Sequence, residues 1–186
     1  MKVLVDEIGD FQNLENKITQ LASAGYRRIM VFHAEGGVDA DFDYKEKCDR
    51  SLDEAYQKGV QIFGGIFPGV FDNGRLMSKG SVIVGIKSDV EIIALEKLED
   101  KNLYEKIQNE IAPFSKALET NEIKTLFVFG DGFGENNFNL IQALNQLVKE
   151  YPIKVIGGMT GRDKIKASHY SIFTPLKIIQ NGAVLA

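Results

Sequence analysis

Residues 29–41, IMVFHAEGGVDAD, and residues 126–137, LFVFGDGFGENN, decide how this chain folds. Each opens on four apolar residues of branched and aromatic type, the composition of a buried strand. Each then passes into a polar loop that carries glycine. A helical pattern follows in both, with Cys48, Leu52, Ala55 and Tyr56 after the first loop and Ile141, Leu144, Leu147 and Val148 after the second. Their spacings of three and four suit one face of a helix. Both helices lead into a second apolar run that closes on a glycine pair: VQIFGG ends at Gly64 and Gly65, IKVIGG at Gly157 and Gly158.

The ends of the two stretches repeat as well. Phe71 to Gly80 reads FDNGRLMSKG and Phe173 to Gly182 reads FTPLKIIQNG, the same nine-residue step, and an apolar strand follows each, SVIVGI and AVLA. Four landmarks in one order predict a strand–helix–strand–hairpin unit present twice, with half-repeats near residues 26–95 and 122–186. Two copies are too few for a solenoid, so the halves should pack as one domain over 1–186 about a pseudo-two-fold axis. Parallel neighbours across each helix and antiparallel hairpins give an α/β class with mixed sheets. Outside the repeats, Leu14, Ile18 and Leu21 predict a helix over 11–24 stopped by Gly25. Residues 81–86 and 90–95 read as strands, and 103–118 as a long connecting helix broken near Pro113.

The 186 residues are 44% hydrophobic and 26% charged, which describes a folded globular chain and excludes general disorder. A net charge of −4 argues against a nucleic-acid binder that works by neutralising phosphates. The apolar runs are far too short to span a membrane. The opening MKVLVDEIGD carries acids where a secretory signal has its apolar core, so a cytoplasmic location is expected. Cys48 is the single cysteine, which excludes an internal disulfide and a multi-cysteine metal site. Its place on an apolar helix stripe predicts a buried, inert thiol.

The chemistry-bearing residues gather at the predicted strand ends. The loop at Gly130–Gly134 stands between strand and helix, where phosphate loops occur, but Glu135 occupies the position of the third dinucleotide-binding glycine and would repel a pyrophosphate. Asp131 there reads as a local acceptor. Gly157, Gly158, Thr160, Gly161, Arg162 and Asp163 form a stronger candidate: turn amides, a hydroxyl and a guanidinium fork suit a carboxylate, and Asp131 or Asp163 would meet an ammonium. Arg162→Ala should then weaken binding of a carboxylate ligand by about tenfold or more. Gly64 and Gly65 are the corresponding pair in the first half, and His33 ends its first strand as a polar wall. His169 reads as a strand side chain. No serine lies in a nucleophile-elbow context and no histidine has metal-ligand spacing, so neither a metal nor a cofactor is expected.

The stretches IMVF, VQIFGG, NGRLMSKGSVIVGI, LFVFGDG, IKVIGGMTGRD and IIQNGAVLA together resemble the N-terminal FIST domain, a sensory module of signalling proteins, over essentially the whole chain. The resemblance implies a small-molecule sensor, amino acids being the usual suggestion, without catalysis. The alternative from the residues is a hydrolase or transferase using His33 with an acidic partner. The family commonly continues into a C-terminal partner domain. Here the chain stops on AVLA, and an apolar strand with no successor predicts an open edge near residues 176–186 that seeks such a domain or a second copy.

Overall fold

The computed structural model describes residues 1–36, 44–99, 102–132, 134, 136–161 and 170–186. The chain begins with β1 (Lys2–Asp6), α1 (Phe11–Ser23), β2 (Arg28–Glu35), α2 (Tyr44–Gln57) and β3 (Gln61–Phe67). A hairpin of β4 (Val70–Asp72) and β5 (Arg75–Met77) leads to β6 (Lys79–Ile86). The second part runs β7 (Ile93–Glu96), α3 (Leu103–Ile111), α4 (Ser115–Glu119), β8 (Thr125–Asp131), α5 (Asn137–Glu150) and β9 (Lys154–Thr160). The hairpin of β10 (Ile172–Phe173) and β11 (Ile178–Ile179) and the last strand β12 (Gly182–Leu185) complete it.

Local chemistry explains the element ends. Asp10 caps α1 by accepting the Asn13 amide at 2.7 Å, satisfying one of the donors a helix start leaves free. Between α3 and α4 the helix tightens into a 3₁₀ turn at Ala112–Phe114, because Pro113 has no N–H to continue the ladder. The predicted connecting helix is therefore present and broken where proline breaks it.

The first sheet has the order β1-β6-β2-β3-β10-β11 and the second β7-β12-β8-β9. The strand order β1-β6-β2-β3 thus recurs as β7-β12-β8-β9. Registers recur with it. Between parallel β2 and β3, Val31 stands opposite Gly64 and Phe32 opposite Gly65; between β8 and β9, Val128 stands opposite Gly157 and Phe129 opposite Gly158. Val70 faces Met77 in one hairpin as Ile172 faces Ile179 in the other. The recurring set also takes in β1 and α1, and β7 and α3, which the sequence repetition did not carry.

Side chains alternate across each strand, so one strand feeds two cores. Ile29, Val31 and Ile62 meet Leu14 and Leu21 of α1 and Cys48 and Leu52 of α2. Val128 and Leu185 meet Ile107 of α3 and Leu140 and Leu147 of α5. Between the sheets, Met30, Phe63 and Val84 pack on Phe129 and Val184. The molecule is a four-layer stack of helices, sheet, sheet and helices. Cys48 is buried, as its stripe predicts.

Two expectations are corrected. The final strand is no open edge: β12 lies between β7 and β8 with Ala183, Val184 and Leu185 fully buried. The apolar stripe of α5 is also rotated from the expected one. Leu140, Ala143, Leu144 and Leu147 face the core, while Ile141 and Val148 are exposed. Helical spacing of three and four fits both sets, and only the neighbouring sheet chooses between them.

Candidate functional site at the strand ends

The two sheets approach each other at the carboxyl ends of β3 and β9. Gly65 makes the approach possible, because a Cβ there would lie 2.2 Å from Thr160 Cγ2. Thr160 is buried; its hydroxyl bonds the Gly130 carbonyl at 3.1 Å and meets Ser171 Oγ at 2.7 Å. The Gly161 amide donates to the Ile66 carbonyl at 2.9 Å, and the Ile66 amide to the Ser171 carbonyl at 2.8 Å. These groups cross-link the sheets through hydrogen bonds that burial makes obligatory.

Asp131 ends β8 in a buried position, where Oδ2 accepts the Asn181 amide at 2.6 Å. That contact fixes the turn before β12, in which Asn181 has φ +48°. His33, on β2, is also buried. Its Nδ1 lies 2.7 Å from Ser81 Oγ, the residue opposite it on β6. Gly64 and Gly157 are spacers. A Cβ would meet the Val31 carbonyl oxygen at 2.0 Å in the first case and that of Val128 at 1.8 Å in the second. Gly158 differs, with nothing within 4 Å of its Cβ position.

The structure therefore brings Gly65, Thr160, Gly161 and Ser171 together, sets His33 against Ser81 in one sheet and Asp131 against Asn181 in the other. Arg162, Asp163 and His169 lie outside the described residues. Ser81, Ser171 and Asn181 were missed by the sequence reading. A serine opening the otherwise apolar run SVIVGI was the available signal for Ser81; Ser171 and Asn181 are joined to their partners by long-range pairing that leaves no local pattern.

A cavity of about 530 Å³ opens between α1 and α2, over Val31, Ile62 and Phe173. Leu14 and Leu52 add apolar wall, and Cys48 also faces it. Its charged lining is two acids, Glu15 and Glu54, and two bases, Arg27 and Lys58. Ser51 donates a hydrogen bond to Glu15 and so ties α2 to α1, while Arg27 Nη1 donates to the Ala22 carbonyl at 3.1 Å. Among the described residues no cluster of three or more metal-ligating side chains occurs, and no helix is long and apolar enough to cross a membrane.

The FIST N domain model matches residues 29–186, from the first residues of β2 to the chain's last strand and beyond it to Ala186. The chain belongs to the FIST family. The FIST N domain is a sensory, signal-transduction module, and the α/β stack described above is its form in this chain. No curated protein matches the chain. In this FIST domain β1 and α1 precede the matched residues, so one wall of the α1–α2 cavity comes from outside them.

Proposed function

We propose that this FIST domain senses a small amino acid or related carboxylate, without catalysis, and that the ligand enters the cavity between α1 and α2. The single observation that carries the reading is the cavity itself. Its 530 Å³ falls within the range of small-molecule sites, its floor is apolar, and acids and bases share its lining. An apolar side chain would rest on Val31, Ile62 and Phe173; a carboxylate would find Arg27 and Lys58, an ammonium Glu15 and Glu54. Phe173 belongs to the β10–β11 hairpin, and Asp49 of α2 accepts the Ile178 amide of the same hairpin at 2.8 Å. Ligand between the helices would thus bear on the hairpin that joins the two parts of the molecule, a route for output.

The strand-end group of His33, Gly64, Gly65, Asp131, Gly157, Gly158, Thr160, Gly161, Arg162 and Asp163 is the competing location for the same ligand class. Many of its described polar groups are committed to one another. The hydrolase reading gains little support, because both His33 and the Ser81 hydroxyl beside it are buried from any substrate. Equilibrium binding of an amino-acid and carboxylate panel to Ala55→Phe and Arg162→Ala proteins separates the locations. Ala55 lines the cavity, so the bulky variant should abolish binding while Arg162→Ala preserves it. The reverse result places the ligand at the strand ends.

A further inference from the structure

The hairpins β4–β5 and β10–β11 have the same register and different surroundings. Through Ile172 opposite Gly65 and Phe173 opposite Gly64, β10 pairs with the outer edge of β3. There Phe173 and Ile178 bury themselves in the core under α2. The β4–β5 hairpin pairs with no third strand among the described residues. Its Phe71 stands where Phe173 stands in the other hairpin, and its Leu76 where Ile178 stands. Phe71 is 70% exposed against 3% for Phe173, and Leu76 is 60% exposed against 1% for Ile178. Large apolar side chains in such a state mark an interaction surface.

The matching receptor is also present and open. Among the described residues β9 pairs on one edge only, with β8. By register Met159 stands where Ile66 stands in β3, and Ile156 where Phe63 stands. Ile66 and Phe63 are fully buried; Met159 is 39% and Ile156 51% exposed. Helices α2 and α5 are both 14 residues long and precede their strands by equal gaps, which puts exposed Ile141 in the place of buried Cys48. Beside Gly158 the backbone is clear, whereas at Gly65 the corresponding space is filled by Thr160 and the Ser171 carbonyl. The edge carries no charge between Val155 and Met159 and no proline, two of the usual devices against strand addition.

We propose that this edge receives the β4–β5 hairpin of a second copy of the chain, and that two copies exchange hairpins in a closed two-fold dimer. The occupant is specified by the chain's own example at β3. Val70 would stand opposite Gly158 and Phe71 opposite Gly157, with Phe71 and Leu76 covering Ile141 and Met159. Because each copy holds both plug and socket, two copies related by a two-fold axis would make both contacts at once and close at two. Main-chain bonds along β9 supply affinity and the two apolar side chains supply specificity.

Light scattering on the full chain over a concentration series tests the dimer, beside the double variant Phe71→Asp/Leu76→Asp and the single variant Ile156→Lys. All three side chains are exposed, so folding, checked by circular dichroism, should be unchanged. The expected result is a concentration-dependent dimer whose dissociation constant rises at least about tenfold in either variant. Asp72 should lie opposite Ile156, so Asp72→Cys protein mixed with Ile156→Cys protein should form a mixed disulfide under oxidation; Cys48 is buried and does not compete. A strict monomer at millimolar protein overturns the proposal. So does a dimer that both variants leave unchanged, or a mixture that gives no mixed disulfide.

Discussion

Gly157 and Gly158 adjoin in sequence and serve different ends. At Gly157 an added methyl would sit 1.8 Å from the Val128 carbonyl oxygen, so β8 and β9 would have to part. Gly157→Ala should therefore destabilise the domain by about 2 kcal/mol or more in denaturant unfolding, whereas Gly158→Ala, with open space around it, should stay within about 0.5 kcal/mol. As sequence the two are one motif, a pair of turn amides offered to a ligand. What separates them is a carbonyl on another strand, which no local pattern records. At the same scale, the Lys177 ammonium sits 2.7 Å from Glu96 and holds that carboxyl below its ordinary value of 4.5. A lowered folded-state value means stability that is present above the ordinary carboxylate range and lost as pH falls through the folded value. Both side chains are about half exposed, so solvent screening limits the pair to under about 1 kcal/mol. Lys177→Ala should lose that amount at neutral pH and nothing once Glu96 is protonated in both states, which thermal unfolding across acid pH will show.

At the scale of elements, the turn that carries the chain from β11 in the first sheet to β12 in the second depends on Asp131. Its carboxylate holds the Asn181 amide, and Asp131→Ala would leave that donor without its charged acceptor. The expected cost is about 1–3 kcal/mol by chemical denaturation, with the slope of the transition unchanged. Much at this scale was legible beforehand. The glycine pairs, the nine-residue step and the proline break each fix an element through local chemistry, and each stands where the sequence puts it. Two features were not. The stripe of α5 turned because Leu144 and Leu147 keep helical spacing equally well with Leu140 and Ala143 as with Ile141 and Val148. The last strand, read as an edge, lies inside a sheet because β7, far off in sequence, pairs with it. Strand order in a sheet follows from long-range pairing, and a single strand's composition does not encode its neighbours. The cavity was illegible for a similar reason: it is the gap between two helices, each of which looks ordinary alone.

At the scale of the whole molecule, the two sheets are joined by an aromatic cluster around Phe129. Its ring stands edge-on to Phe32 at 5.5 Å and to Phe67 at 6.1 Å, and lies 6.5 Å from Phe63. Phe129→Ala would remove the second sheet's contribution to that cluster, at an expected cost of about 3–5 kcal/mol in a single cooperative transition. Separate melting of the two parts in the wild-type chain would contradict such a joined core. On the proposed reading, a ligand in the α1–α2 cavity would bear on Phe173, which belongs to the hairpin paired with β3. The central claim, a small-ligand sensor with its site in that cavity, is tested most directly by thermal unfolding of the wild-type chain and of Ala55→Phe against a panel of amino acids and small carboxylates. Ligand at a hundred times its dissociation constant should stabilise the wild type by about 2.7 kcal/mol, a rise of about 5–10 °C, and should leave Ala55→Phe unmoved. No rise with any member of the panel, or an equal rise in the filled variant, would contradict it.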